Sequence, residues 1–132
     1  MFGKIHHVSY LVEDLSATID WYVKMLQGEF TGRGTVAGLG DVGFVQVGEV
    51  EVEFIEPEDK GQLQPGAGHV FHHVAYVVDD LDRTVADFRE RGYEFATPEP
   101  FTNFMGYRLI YFENWCTGGT RVHLTEASSL RS

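Results

Sequence analysis

The sequence predicts an α+β fold built from two tandem βαβββ modules forming a cupped mixed sheet. Two observations carry this reading. Sliding the chain on itself by 66 positions lays residues 5–18 over 71–84, where His6, His7, Val8, Tyr10, Val12, Asp14, Leu15 and Thr18 meet identical residues. Each copy then passes from the alternation of a strand to helical spacing and back to strands. A period near 66 residues is too long for a solenoid unit, so it marks a duplicated module.

The first module spans residues 1–60. "IHHVSYLV" alternates as a strand, and Asp14 suits the N-cap of the helix that follows. Leu15, Ile19, Tyr22, Val23 and Leu26 recur at helical steps, Gly28 is the expected stop, and Trp21 and Tyr22 extend the expected core stripe. "GFVQVG" and "EVEVEFIEP" flank Gly48–Glu49, a hairpin signal, and Pro57 ends the run. A glycine-rich linker, "GQLQPGAG", covers 61–68. The second module, 69–132, repeats the order: "FHHVAYVV", Asp80 as cap, a helix through Leu81, Val85 and Phe88 towards Tyr93, with Gly92 as its stop. "YRLIYFE" and "TRVHLTE" then flank the longer turn "NWCTGG". Aligning the two hairpins sets Glu53 over His123 and Glu56 over Glu126, at an offset of 70, because the second turn is four residues longer.

Bulk properties narrow the function. The chain has 132 residues, 43% hydrophobic and 14% aromatic, enough for a packed interior. A formal charge of −10 excludes the basic footprint that nucleic acid or an anionic membrane requires. The single cysteine, Cys116, permits no intrachain disulfide and, lying in a turn without a paired base, reads as inert. No apolar run approaches a membrane span or a signal peptide, so a soluble cytoplasmic protein is expected.

Strand alternation sorts the polar residues by face. Val8, Tyr10 and Val12 suit packing beneath the first helix, as do Val74, Tyr76 and Val78 beneath the second. The opposite faces carry His7, Glu53, His73 and His123, whereas His6 and His72 fall on the helix side as structural residues. Taken singly, each histidine fits an ordinary hydrogen-bonded strand residue, and Glu53 fits the wet face of a half-exposed strand. Recurrence in both modules is what favours a metal site. Three imidazoles and one carboxylate suit a divalent transition ion such as Zn, Co, Ni, Mn or Fe, and small Ser9 and Ala75 leave room for a ligand.

The stretches "IHHVSYLVEDLSATIDWYVKMLQGEF", "GFVQVGEVEVEFIEP", "FHHVAYVVDDLD" and "GGTRVHLTE" resemble the vicinal oxygen chelate superfamily, which includes glyoxalases, extradiol dioxygenases and bleomycin resistance proteins. The "GEVEVEFIEP" strand and the Gly-Gly turn are most similar to the methylmalonyl-CoA epimerases. The resemblance implies paired βαβββ modules around one divalent ion per site, within one chain or across a homodimer. It places the ligands on His7, Glu53, His73 and position 123, where relatives usually carry Glu and this chain has His123. It further implies proton abstraction α to a carbonyl on a small substrate with adjacent oxygens or an acyl thioester. Glu53 is the first candidate to move the proton and Glu51, on the same strand face, is its reserve. The loop residues Asn103, Tyr107 and Arg108 are candidate substrate contacts, although an ordinary glycine turn leading into a strand explains them as well. A glyoxalase I-like lyase and a metal-free drug- or metabolite-binding protein are the competing expectations.

Overall fold

The computed structural model describes residues 2–64, 66 and 68–130. Its elements run β1 (Phe2–Leu11), α1 (Leu15–Met25), β2 (Glu29–Val36), β3 (Gly40–Val47), β4 (Val50–Pro57), β5 (Val70–Val78), α2 (Leu81–Glu90), β6 (Phe101–Thr102), β7 (Arg108–Tyr111) and β8 (Arg121–Glu126). The βαβββ order therefore occurs twice. The chain forms two compact units, one of His7–His72 and the other of residues 73–130 with 2–6.

In the His7–His72 unit the strand order is β2-β3-β4-β1, with β1 parallel to β4 and the β2-β3-β4 neighbours antiparallel. Val12, Leu15, Val45, Val52 and Phe54 form its core, with Val8, Tyr10, Ile19 and Tyr22 packed against them. Burial of each large apolar side chain is worth about 1.5–3 kcal/mol, so this stripe holds α1 to the strands. Asp14 caps α1 by accepting the Ala17 amide at 3.0 Å, and Glu56 Oε1 accepts the Leu15 amide at 2.9 Å. The hairpin turns at Gly48, whose φ of 58° is left-handed.

Two expectations on α1 are corrected. Trp21 is 50% exposed, Leu26 46% and Val23 36%, so none of the three is core. The stripe on the strands is Leu15, buried, with Ile19 and Tyr22 partly buried, and Trp21 lies about 100° around the helix from Tyr22. The helix also does not end on a left-handed Gly28. Gln27 takes the positive φ of 55°, and Gly28 is required for space, because a Cβ there would sit 2.4 Å from Val45 Cγ1.

The other unit repeats the scheme with the order β5-β8-β7-β6 and β5 parallel to β8. Its core is Val78, Leu81, Val85, Phe95, Ile110, Phe112 and Leu124. Asp80 accepts the Arg83 amide at 3.1 Å and Glu126 Oε2 accepts the Leu81 amide at 3.0 Å, reproducing the Asp14 and Glu56 contacts. Gly92, with φ of 91°, follows the helix end as expected. Tyr93 lies beyond the helix and packs edge-on against Phe88 at 5.7 Å. Among the described residues no helix is long and apolar enough to cross a membrane.

Candidate metal centre

On the strand faces turned away from α1, register sets three rows across β1, β4 and β3. They are His7–Glu51–Gln46, Ser9–Glu53–Phe44 and Leu11–Ile55–Val42. His7 is 1% exposed and its Nε2 lies 3.8 Å from Glu53 Oε1. Ser9 Oγ donates to the same carboxylate oxygen, and the Phe44 ring meets His7 edge-on at 5.7 Å between centroids. Glu51 is also buried, and its Oε2 accepts the Thr31 hydroxyl at 2.6 Å. This unit thus presents an imidazole and a carboxylate side by side, each fixed by packing or hydrogen bonding.

The matching rows across β5, β8 and β7 are His73–Arg121, Ala75–His123–Tyr111 and Val77–Thr125–Leu109. His123 occupies the place in the row that Glu53 has in the other unit, as the offset of 70 requires. His73 and His123 are each 2% exposed. Their ring centroids lie 4.8 Å apart with planes at 42°, so the rings are tilted rather than stacked. Tyr111 completes the group, with its ring 5.4 Å from His73 and 4.7 Å from His123. Buried imidazoles beside one another are a donor set that fits a divalent transition ion, as does the His7–Glu53 pair.

The other sequence-derived candidates, Asn103, Tyr107 and Arg108, each contact residues of their own unit. Asn103 Oδ1 accepts the amides of Met105 and Tyr107, both at 3.0 Å, so its side chain closes its own turn. Tyr107 is 1% exposed and packs edge-on against His6 at 4.9 Å. Arg108 alternates with Leu109 and falls on the helix side, where it meets Asp82 at 2.8 Å and Glu126 at 3.3 Å. Hydrogen bonding to Asp82 raises the guanidinium pKa further above its ordinary value, opposed by partial burial. Tyr111, Thr31 and Thr125 were not singled out from the sequence. The two-residue spacing from His123 marks Thr125, but Tyr111 and Thr31 emerge only from cross-strand register. Cys116 Sγ touches the backbone of Glu94. A cleft of about 810 Å³, lined by Trp21, Lys60 and His69 among others, holds none of His7, Glu53, His73 and His123.

Two βαβββ units carrying buried histidines on matching strands define a duplicated α+β protein equipped to bind metal. Residues 5–112 match the Glyoxalase/Bleomycin resistance protein/Dioxygenase superfamily, and the chain belongs to that family. The uncharacterized protein YwbC of Bacillus subtilis (strain 168) is 30% identical over 117 residues, covering 86% of this chain and 90% of its own. Human mitochondrial methylmalonyl-CoA epimerase is 24% identical over 131 residues, covering 95% of this chain and 74% of its own. Among solved structures, methylmalonyl-CoA epimerase from Mycobacterium tuberculosis superimposes with a TM-score of 0.81 at 20% identity, over 93% of this chain and 87% of that one. The Streptomyces coelicolor epimerase in complex with 2-nitronate-propionyl-CoA gives 0.82 at 23% identity, over 100% and 99%. These likenesses establish the shared fold.

Proposed function

We propose that the chain is a divalent-metal-dependent isomerase that moves a proton α to a carbonyl, with an acyl-CoA thioester of the methylmalonyl type as substrate. The observation that carries this reading is the donor set, His7 with Glu53 and His73 with His123, taken to hold one ion. The burial of His7, His73 and His123, each 1–2% exposed, supports it. So do curated relatives at 24–27% identity over 95% of the chain that are named methylmalonyl-CoA epimerase.

When bound, the ion supplies Lewis acidity toward a carbonyl oxygen. Glu53 takes the α-proton, its Oε1 steadied by the Ser9 hydroxyl, and inversion follows when a second acid returns a proton to the opposite face of the same carbon. Glu51, held by Thr31, is the second carboxylate on that face. His123 in place of a carboxylate leaves the set with a single anionic ligand, so a bound dication keeps positive charge for an anionic substrate.

Elemental analysis of protein purified without a chelating tag tests the ion, and one divalent transition ion per chain is expected. Deuterium incorporation from solvent into methylmalonyl-CoA tests the reaction. Turnover of a glutathione hemithioacetal instead assigns a glyoxalase-type lyase, and absence of both ion and turnover assigns a binding protein.

A further inference from the structure

We propose that Thr125 is a specificity residue of this site, its hydroxyl donating to an oxygen on the part of the substrate that does not chelate the ion. The proposal rests on the metal-centred reading above. Thr125 follows His123 by two residues on β8 and so points from the same face, about 6.8 Å further along the strand. Its row partners are Val77 on β5 and Leu109 on β7, both buried. Thr125 itself is 0% exposed, and its Oγ1 has no hydrogen-bond partner among the described residues.

A buried hydroxyl without a partner is destabilising, so a fold gains nothing from it. The duplication supplies an internal control. The matching row of the other unit is Leu11, Ile55 and Val42, apolar throughout, at 4%, 0% and 0% exposure. Ile55 stands where Thr125 does and meets every packing need of that position. Thr125 is β-branched and suits a strand equally well, so its oxygen is the one feature packing leaves unexplained. The row offers a short apolar wall with a single donor in it. That chemistry selects a short-chain substrate whose chelating oxygens are followed, past an apolar stretch, by one further oxygen. A simple vicinal chelator with nothing beyond its two oxygens gains nothing from Thr125.

The test compares wild type, Thr125→Val and Thr125→Ser, each first titrated with cobalt(II). The loaded proteins are then titrated with oxalate, which carries only chelating groups, and with 2-oxoglutarate, which adds a carboxylate beyond them. We expect all three to take up cobalt(II) and oxalate within about twofold of one another. Thr125→Val should lose about tenfold in 2-oxoglutarate affinity, the size of one hydrogen bond to a charged group, and Thr125→Ser should recover most of it. Ligand-free Thr125→Val should melt about 1–3 °C higher than wild type, because an unpartnered hydroxyl has been removed. A melting point several degrees lower overturns the proposal by showing that the hydroxyl is bonded within the fold. Equal losses for both ligands, or no loss for either, also overturn it. Wild type that takes up no cobalt(II) overturns the metal-centred reading itself, and that result is visible before any variant is compared.

Discussion

Glu126 Oε2 accepts the backbone N–H of Leu81 at 3.0 Å, and the same carboxylate oxygen meets Arg108 at 3.3 Å. One side chain therefore ties the end of β8 to the start of α2 and to β7. Glu56 does the same for Leu15 in the other unit, with Lys60 at 3.3 Å as its cation. Glu126→Ala is expected to cost about 2 kcal/mol in urea unfolding, because it strips a helix start and leaves a half-buried guanidinium. Glu56→Ala, at a more exposed carboxylate, is expected to cost about 1 kcal/mol. Equal, negligible costs would show that these contacts contribute nothing.

Arg108→Met separates a structural arginine from a substrate contact. Its guanidinium is engaged by Asp82 and Glu126 on the helix side of β7. Stability should fall by up to about 1 kcal/mol, the worth of a partly exposed pair, while metal uptake and KM stay within about twofold of wild type. A large rise in KM at unchanged stability would return Arg108 to the substrate.

Ser9→Ala removes the hydroxyl that holds Glu53 Oε1. Loss of such an outer hydrogen bond to a ligand lowers metal affinity by about tenfold or more. His123→Ala should abolish stable uptake and exchange together, whereas Glu53→Gln should lose far more exchange than metal. Cobalt(II) titration with far-ultraviolet circular dichroism as a folding check reads all three, and equal metal loss in the last two reduces Glu53 to a plain ligand.

His69 packs near Tyr10, Tyr22 and Phe54 with ring centroids at 6.0–6.4 Å. Burial lowers its pKa below the ordinary 6.5, so the unfolded chain binds the proton more readily than the folded one. Stability from this group is full above that ordinary value and is lost as pH falls through it. His69→Phe should accordingly lose less stability than wild type on acidification from about pH 7 to about pH 5. Parallel pH profiles for the two proteins would contradict this.

Gly28→Ala and Gly92→Ala test two different demands for glycine. A Cβ at Gly28 meets Val45, so the substitution should cost about 1–3 kcal/mol through overpacking. Gly92 faces open space at φ of 91°, and its cost of about 1 kcal/mol is conformational. Trimming Val45 to Ala should rescue Gly28→Ala and leave Gly92→Ala untouched.

What could be read in advance follows the range of the interactions involved. Alternation along a strand is local, so counting assigned His7, Glu53, His73 and His123 to one kind of face and Val52, Phe54 and Leu124 to the other. Helix caps are local too, and Asp14 and Asp80 were legible for that reason. Register between strands is not local. Tyr111 lies beside His123 only because β7 pairs with β8 at that offset, and Thr31 reaches Glu51 from a different strand. β2 left a weak signal because it is an edge strand broken by Gly32, Gly34 and a bulge near Phe30. Trp21 misled because an apolar residue one step from the buried stripe of a short helix counts as part of it only if the helix is covered on two sides. Here α1 packs on one.

The membership of the two apolar cores has a consequence for how this protein can change. The apolar residues that pack each helix on its strands lie on the faces opposite His7, Glu53, His73 and His123. Chelation should therefore empty the centre without melting the chain, unlike domains that metal alone keeps folded. The helix-packed face of each unit carries these cores, so the donor group on the other face, where Phe44 packs on His7, can be altered without disturbing the helix contacts.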